Sequence, residues 1–386
     1  MTRRLCARAG AVCVAVGLTA GLSTVPAAAD DAPPALPSTS NGCVGPSPVR
    51  DSGRMSWPVA RMAPYQTWPL SRGSGVVVAI LDSGVSGGAA GLGGAVAAGP
   101  DVVTGGSGQS DCLGRGTALA AIVAARPVAG TGVVGMAPEA TVLPVRIIDA
   151  QRKVTTKAIV DGINAAVDAG ADVVLLGTGD VTDSAALRGA VARATGRDVL
   201  VVAPVNDGSS AFAGQPPPVW YPAAYPEVLA VGGVGADGQA TTLSGKGSEP
   251  DVLAPGVNAV VPGPSGDGQY TVGGSAIAAA YAAGAAALVR AYQPELRAAE
   301  VAQRLVVTAE RPPHAVAGTV DAYAAVSTLE PGQAARTVRL DAAPVSVATA
   351  PPADPAAARA RLVSAAVAFV ALLVAVLLWV RRARRG

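Results

Sequence analysis

Histidine is almost absent from this chain of 386 residues, because His314 is the only one. Lysine is nearly as rare, and Lys153, Lys157 and Lys246 are its only examples. The formal net charge of +2 is too small to indicate a nucleic-acid partner. A single histidine argues against a zinc site, and "GGSGQS" lacks the lysine and flanking strand of a phosphate loop. We therefore expect no cofactor, no metal and no nucleic acid.

Long apolar runs occur at the two ends of the chain. Residues 9–22 follow three arginines and precede the small residues 27–29, which predicts a secretory signal cut before Asp30. Residues 362–380 contain no charge and are long enough to cross a hydrocarbon core of roughly 30 Å as a helix. The arginine-rich tail that follows favours the cytoplasmic side. We expect a single-pass cell-membrane protein with its main domain outside the cytoplasm and its C-terminus inside.

Composition along the chain predicts six segments. They are a signal peptide (1–29), an extended N-terminal arm (30–58), a main domain (59–330), an Ala/Pro-rich linker (331–361), a transmembrane helix (362–380) and a basic cytoplasmic tail (381–386). Cys43 and Cys112 are left once the signal is removed. Two cysteines in an exported chain indicate a disulfide, which would tie the arm to the loop before Gly114.

Apolar strand-like runs alternate with helical patterns through the main domain. Examples are "GVVVAILD", "ADVVLLG" and "DVLVVAPV" for strands, and residues 155–170, 183–196 and 294–309 for helices. We expect Asp183 to cap the second of these helices, and Pro294 to lie in the opening turn of the third. The alternation predicts an α/β fold with a mostly parallel sheet between helices, and functional groups beyond the carboxyl ends of its strands.

Three segments of the main domain occur in an order that is typical of one protein family. Asp82 ends the run "VVVAILD", the small-residue helix "GRGTALAAIVAA" follows, and "GGSAIAAAYAAGAAALV" comes much later. This layout resembles the subtilisin-like serine proteases, whose chain order is Asp, His, Ser. It resembles more closely the mycosins, membrane-anchored subtilases of actinobacterial type VII secretion systems. The segments "ARMAPYQTWPLSRGSGVVVAILDSGV", "DCLGRGTALAAIVAARPVAGTGVVGMAPEATVLPVRI", "VVAPVNDG" and "LSGKGSEPDVLAPG" carry the resemblance.

The resemblance implies a subtilisin-like three-layer domain and a set of site positions. Asp82 falls on the triad aspartate, Asn206 on the oxyanion asparagine, Arg115 on the histidine and Ala276 on the nucleophilic serine. An arginine cannot accept a proton at physiological pH, and His314 lies in the wrong segment. The family's substrate-lining Ser-x-Gly is replaced by "GTG", residues 177–179, which should weaken pairing with a peptide.

Two alternatives stay open at the serine position. A one-residue insertion would put Ser275 rather than Ala276 at the nucleophile, and a pair of Ser275 with Lys246 could then replace the triad. The ungapped alignment is favoured because an insertion inside a packed helix turns every later side chain by about 100°.

Asp82 and Arg115 are expected to form a close ion pair, because a buried carboxylate needs a positive or donor partner. In the alternative, Arg115 points to solvent and backbone amides satisfy Asp82. The implied function is a catalytically inactive pseudoprotease that serves a type VII secretion membrane complex as a structural or peptide-binding component. A working serine endopeptidase with an unusual site, and a tethered peptide-binding domain without a secretion partner, are the alternatives.

Overall fold

The structure is a computed structural model that describes residues 32–38, 42–206, 218–241, 249–313, 315, 317–328 and 381. All of these except Arg381 belong to one unit of the chain, Met1–Arg336. Arg381 is helical and belongs to a second unit, Thr337–Gly386. The predicted signal, linker and membrane helix lie outside the described residues, as does the predicted tail apart from Arg381.

The helices and strands of the described chain alternate through the main domain. The helices are α1 (Trp57–Met62), α2 (Pro64–Thr67), α3 (Arg115–Ala124), α4 (Thr156–Asp168), α5 (Ala185–Gly196), α6 (Ser275–Tyr292), α7 (Ala298–Val307) and α8 (Ala322–Ser327). The strands are β1 (Val77–Asp82), β2 (Thr141–Arg146), β3 (Val173–Leu176), β4 (Leu200–Pro204), β5 (Leu229–Val234), β6 (Val252–Pro255), β7 (Ala259–Pro262), β8 (Gln269–Val272) and β9 (Gly318–Thr319).

Seven of these strands form one parallel sheet in the order β2-β1-β3-β4-β5-β6-β9. Every residue of β3, β4 and β5 is buried, as expected for a parallel sheet that is covered on both faces. β7 and β8 form a separate antiparallel pair. The mostly parallel α/β architecture predicted from the sequence is confirmed.

Alternate residues of each strand belong to different hydrophobic clusters, one on each face of the sheet. Val78 and Ile80 of β1 share a cluster with residues of α3 and α6, whereas Ala79 and Leu81 share one with residues of α4 and α5. Side chains alternate between the faces of a strand, so Asp82 projects to the same face as Ile80. This parity directs the carboxylate towards α3.

Small side chains let α3 lie close to its neighbours. Four of its alanines are each at most 1% exposed, and they are Ala118, Ala120, Ala121 and Ala124. At Gly116, an added Cβ would lie 2.0 Å from the carbonyl oxygen of Gly84. The start of α3 therefore packs directly against the backbone that follows β1.

Two helix starts differ from the prediction. Ser184, not Asp183, is the N-cap of α5, because the carboxylate of Asp183 accepts the hydroxyl of Tyr225. The third helix begins after Pro294, at α7, where the first N–H donates to Asp198 from a segment about a hundred residues earlier. In both cases a distant partner decides which local capping residue is used.

The N-terminal arm pairs with β8. The N–H of Leu36 donates to the carbonyl of Thr271 at 3.0 Å, and the N–H of Thr271 donates to that of Pro34 at 2.8 Å. Cys43 and Cys112 form a disulfide, so the predicted pairing is present. The bond fixes the arm to the loop that leads into α3.

One helix in the described part of the chain is long and apolar enough, by length and composition alone, to cross a membrane. It is α6, and 78% of its apolar window is buried inside the domain. Its burial and its contacts with β3, β4 and β5 identify it as the core helix of the domain.

Candidate active site

Asp82 and Arg115 meet where β1 ends and α3 begins. The side chain of Asp82 is fully buried. Arg115 donates from Nε to Oδ1 at 3.3 Å and from Nη2 to Oδ2 at 3.2 Å. The N–H of Ser83 donates to Oδ1 at 2.8 Å. The predicted ion pair is confirmed, and the alternative in which Arg115 turns away from Asp82 is wrong.

Gly177, directly after β3, completes the surroundings of this pair. Its carbonyl accepts Nη2 of Arg115 at 3.0 Å. A Cβ at position 177 would lie 1.9 Å from Oδ2 of Asp82 and 2.7 Å from Leu119. The sequence indicated only the loss of a polar group at residues 177–179. The structure adds that the missing side chain gives the carboxylate of Asp82 the space it occupies.

Asp111 is a site residue that the sequence reasoning missed. Its buried carboxylate accepts the N–H groups of Gly114 and Thr117, each at 2.8 Å, and the hydroxyls of Ser83 and Thr117. Burial raises the pKa of this carboxyl, although the hydrogen bonds from Thr117 and Ser83 act in the opposite direction. An aspartate just before a helix is a known capping signal, and it was available in "DCLGRGT".

The serine segment lies at the start of α6. Ser275 is fully buried, and its hydroxyl donates to Oδ1 of Asn206 at 3.1 Å. Ala276 is the next residue and lines the same cavity as Asp82 and Arg115. The structure therefore brings the predicted site residues together, with Ser275 engaged by Asn206 and Ala276 facing the cavity.

That cavity has a volume of about 290 Å³. Its walls come from the arm, the start of α3, the turn after β2, and the segment from β8 into α6. A larger cavity of about 620 Å³ lies where β4 and β5 start, beside α7. Parallel strands start and end at opposite edges of a sheet, so the larger cavity lies away from Asp82 and the site is the smaller one.

Lys246 and His314 lie outside the described residues. Within the ranges that the structure covers, no three His, Cys, Asp or Glu side chains are grouped so that they could hold a metal ion.

A domain of this fold, with an aspartate after its first parallel strand and small-residue helices at the histidine and serine segments, agrees with the subtilase family model (peptidase S8). That model matches residues 73–335, more than half of the chain. The chain belongs to the subtilase family.

This subtilase is 36% identical to subtilisin DY of Bacillus licheniformis over 239 residues, which cover 62% of this chain and 85% of that protein. It is 30% identical to mycosin-1 of Mycobacterium tuberculosis over 371 residues, which cover 80% of each protein. It is therefore a mycosin homologue.

Two solved mycosin structures share the fold. One is the serine protease MycP1, described as an essential component of the type VII (ESX-1) secretion system, with a TM-score of 0.66 and 26% identity over 77% of this chain and 95% of that one. The other is the MycP3 protease from the type VII (ESX-3) secretion system, with a TM-score of 0.64, 28% identity and the same coverage. The resemblance expected from the sequence is confirmed for both family and fold.

Proposed function

We propose that this subtilase is a catalytically inactive, membrane-anchored component of a type VII secretion system, with its domain outside the cytoplasm and a structural or peptide-binding role. The observation that carries the proposal is the guanidinium of Arg115 against Asp82. A serine protease needs a base there, held by the aspartate, to take the proton of the nucleophile. A guanidinium has no acceptor and stays charged.

The serine position supports the same conclusion. Ala276 faces the cavity with a methyl group, which cannot form an acyl-enzyme. The hydroxyl of Ser275 donates to the amide oxygen of Asn206, which accepts a hydrogen bond but cannot act as a general base. A serine nucleophile is commonly activated by an adjacent base, and the partner that Ser275 contacts here is not one.

The proposed topology rests on the sequence. An apolar segment at 9–22 and another at 362–380, with arginines after the second, favour an exported domain on a membrane helix. The partners are inferred from the relatives, because MycP1 and MycP3 are described as belonging to type VII secretion systems. We infer that this chain binds membrane subunits of such a complex through its surface and does not cleave them.

Labelling with a serine-directed fluorophosphonate tests the proposed inactivity. The full chain should stay unlabelled under conditions that label an active subtilase. Clear labelling that disappears in Ser275→Ala would contradict the proposal and favour an endopeptidase that uses Ser275. The variant Arg115→His with Ala276→Ser should gain labelling. If it stays silent, the proposed inactivity stands, and the cleft or the oxyanion site has also changed.

Co-purification tests the proposed partners. Affinity capture of the full chain from its own cells should bring down type VII secretion membrane subunits. A chain that reproducibly binds peptides but captures none of these subunits would instead be a tethered peptide-binding domain. The Arg115→His, Ala276→Ser variant is a matched control, because a structural role predicts unchanged capture.

A further inference from the structure

A second arginine, Arg152, faces the cavity that holds Arg115. It lies in the turn after β2, where its N–H donates to the carbonyl of Asp149 at 3.0 Å. Its φ is +63°, a left-handed conformation that is uncommon for a residue other than glycine, asparagine or aspartate. Backbone strain of this kind is concentrated at functional sites, so Arg152 is a candidate functional residue.

The hydrogen bonds of Arg152 do not neutralise its charge. Nη2 donates to the carbonyl of Pro37 in the arm at 2.6 Å, while the buried Nε has no hydrogen-bond partner in the described structure. Burial and the nearby charge of Arg115 lower the pKa of this guanidinium, although the charges of Asp82 and Asp111 act in the opposite direction. A neutral carbonyl therefore holds a cation that is partly withdrawn from water and repelled by its neighbour.

Two guanidinium groups line the cavity. Among the described residues that line it, the charged ones are Asp82, Arg115 and Arg152. The buried carboxylate of Asp111 also interacts electrostatically with Arg152, but it does not line the cavity and its oxygens accept hydrogen bonds at the start of α3. The negative charge of Asp82 is already paired, because Asp82 accepts both bonds from Arg115. The first turn of α6 also borders the cavity, and amides at a helix start have no partner within the helix and carry partial positive charge. No carboxylate of the described residues hydrogen-bonds to the guanidinium of Arg152, so an anion that enters the cavity could pair with it directly.

We infer that this cavity binds the carboxylate of a peptide, with the guanidinium of Arg152 as the main donor. The inference rests on the proposed function, because it assumes a cleft that receives a peptide without cutting it. A carboxylate is negatively charged and planar, which matches the charge and the fork of a guanidinium. A volume of about 290 Å³ holds a chain end or one side chain rather than a folded surface.

The C-terminus of an extended peptide is the favoured source of the carboxylate. In an active serine protease the scissile carbonyl lies against the nucleophile, and here Ala276 faces the cavity in that segment. A peptide that ends there presents a carboxylate instead of an amide. An internal acidic side chain has the same chemistry, and the experiment below distinguishes the two.

Fluorescence anisotropy on the full chain in detergent tests the inference. The probes are three fluorescein-labelled alanine tetrapeptides: one with a C-terminal carboxylate, one with a C-terminal amide, and one amide with an internal glutamate. The variants are Arg152→Gln, Arg152→Lys and, as a charge-matched control, Arg197→Gln. Arg197 is exposed and precedes β4, at the edge of the sheet opposite Asp82. Glutamine at 152 keeps a donor for Pro37 but removes the charge.

The wild-type chain should bind the carboxylate peptide at least tenfold more tightly than the amide. Arg152→Gln should reduce this preference to less than threefold, Arg152→Lys should keep part of it, and Arg197→Gln should keep all of it. Added salt should weaken the preference because it screens charges at a partly exposed site. Equally tight binding of the internal glutamate peptide would assign the site to acidic side chains as well as to chain ends.

Three outcomes would each overturn the inference: equal affinity for the carboxylate and amide peptides, no binding of any peptide, or a carboxylate preference that survives in Arg152→Gln. Thermal unfolding of each variant shows whether it is folded. If Arg152→Gln does not fold, Arg152→Lys, which keeps the charge, still tests whether the geometry of the guanidinium matters. The two proposals fail separately. Fluorophosphonate labelling would refute the inactivity whatever the peptides do, whereas an absent carboxylate preference in an unlabelled chain refutes only the anion site.

Discussion

Arg115 is a cation at the first position of a helix, where the partial charge of the helix is also positive. Such a placement is unfavourable unless a negative partner lies nearby. Asp82 is that partner, and its own burial requires a donor in return. The two residues therefore depend on each other, and the pair has two bonds from Arg115 and one from Ser83 to the same carboxylate.

Replacement of Arg115 by alanine should expose this dependence. Breaking a buried pair leaves an uncompensated charge, so Arg115→Ala should lower the free energy of unfolding by about 3 kcal/mol. The double variant Arg115→Ala with Asp82→Asn should recover part of that loss, because no buried charge is left. Urea unfolding followed by tryptophan fluorescence measures both.

Lys157→Ala is the control for this experiment. Lys157 pairs with Asp161 on the surface of α4, and its side chain is 83% exposed. Its loss should change stability by less than about 0.5 kcal/mol. An equal effect of the two single replacements would mean that the Asp82–Arg115 pair contributes no more than a surface pair.

Gly177 should be intolerant of any side chain while Asp82 is present. Gly177→Ala puts a methyl group where the carboxylate lies, and we expect a loss of about 1–3 kcal/mol in unfolding free energy. The loss should shrink when Asp82→Ala is added, although Leu119 still limits the space. Gly189→Ala, inside α5 and with nothing within 4 Å of the added Cβ, should instead stabilise by about 0.4–1 kcal/mol. Equal losses at the two glycines would reject the steric explanation.

At the scale of elements, the start of α3 depends on Asp111. Gly114, the N-cap of α3, has no side chain to cap it. Asp111 supplies the acceptors instead, to the backbone of Gly114 and Thr117 and to the hydroxyl of Ser83. One carboxylate thus joins α3 to the end of β1, and it holds Arg115 in reach of Asp82.

Asp111 should give stability a distinctive pH dependence. Burial raises the pKa of its carboxyl above the ordinary 3.8, so the folded state holds the proton more tightly than the unfolded state. The stabilisation from this group is then complete below about pH 3.8 and is lost as pH rises through the folded pKa. The difference in unfolding free energy between wild type and Asp111→Asn should therefore fall as pH rises from about 3.8. Urea unfolding at a series of pH values measures both proteins. A difference in unfolding free energy that does not change with pH would contradict this expectation.

Elements differed in how far the sequence could predict them. β1 and α4 follow from local signals: a buried apolar run for the strand, and for the helix a threonine cap at Thr155 and Gly170 beyond its end. The starts of α5 and α7 do not, because Tyr225 occupies Asp183 and the carboxylate of Asp198 reaches the start of α7. Capping propensity is local, but the choice between neighbouring caps depends on contacts that only the folded chain makes.

At the scale of the whole domain, the disulfide closes a sequence separation of 69 residues. By the chain-entropy argument, a loop of this length should contribute about 4 kcal/mol through its effect on the unfolded state. Cys43→Ser, Cys112→Ser and the double variant should lose the same amount, because each removes the same bond. Urea unfolding under oxidising conditions measures the loss. Under reducing conditions, the wild type and the variants should have the same free energy of unfolding. If a single variant lost less unfolding free energy than the double variant, the two cysteines would contribute separately and not through one bond.

The sequence by itself determined the family, the parallel sheet and the chemical character of the residues at the triad positions. These follow from periodicity, from the order of the segments and from side-chain chemistry, since an arginine cannot act as a base wherever it lies. Only the tertiary structure decided that Gly177 leaves space for the carboxylate of Asp82, that Asp111 anchors α3, and that Arg152 shares a cavity with Arg115. Each of these joins residues from different strands and loops, and distances across a sheet are set by packing, which no local pattern encodes.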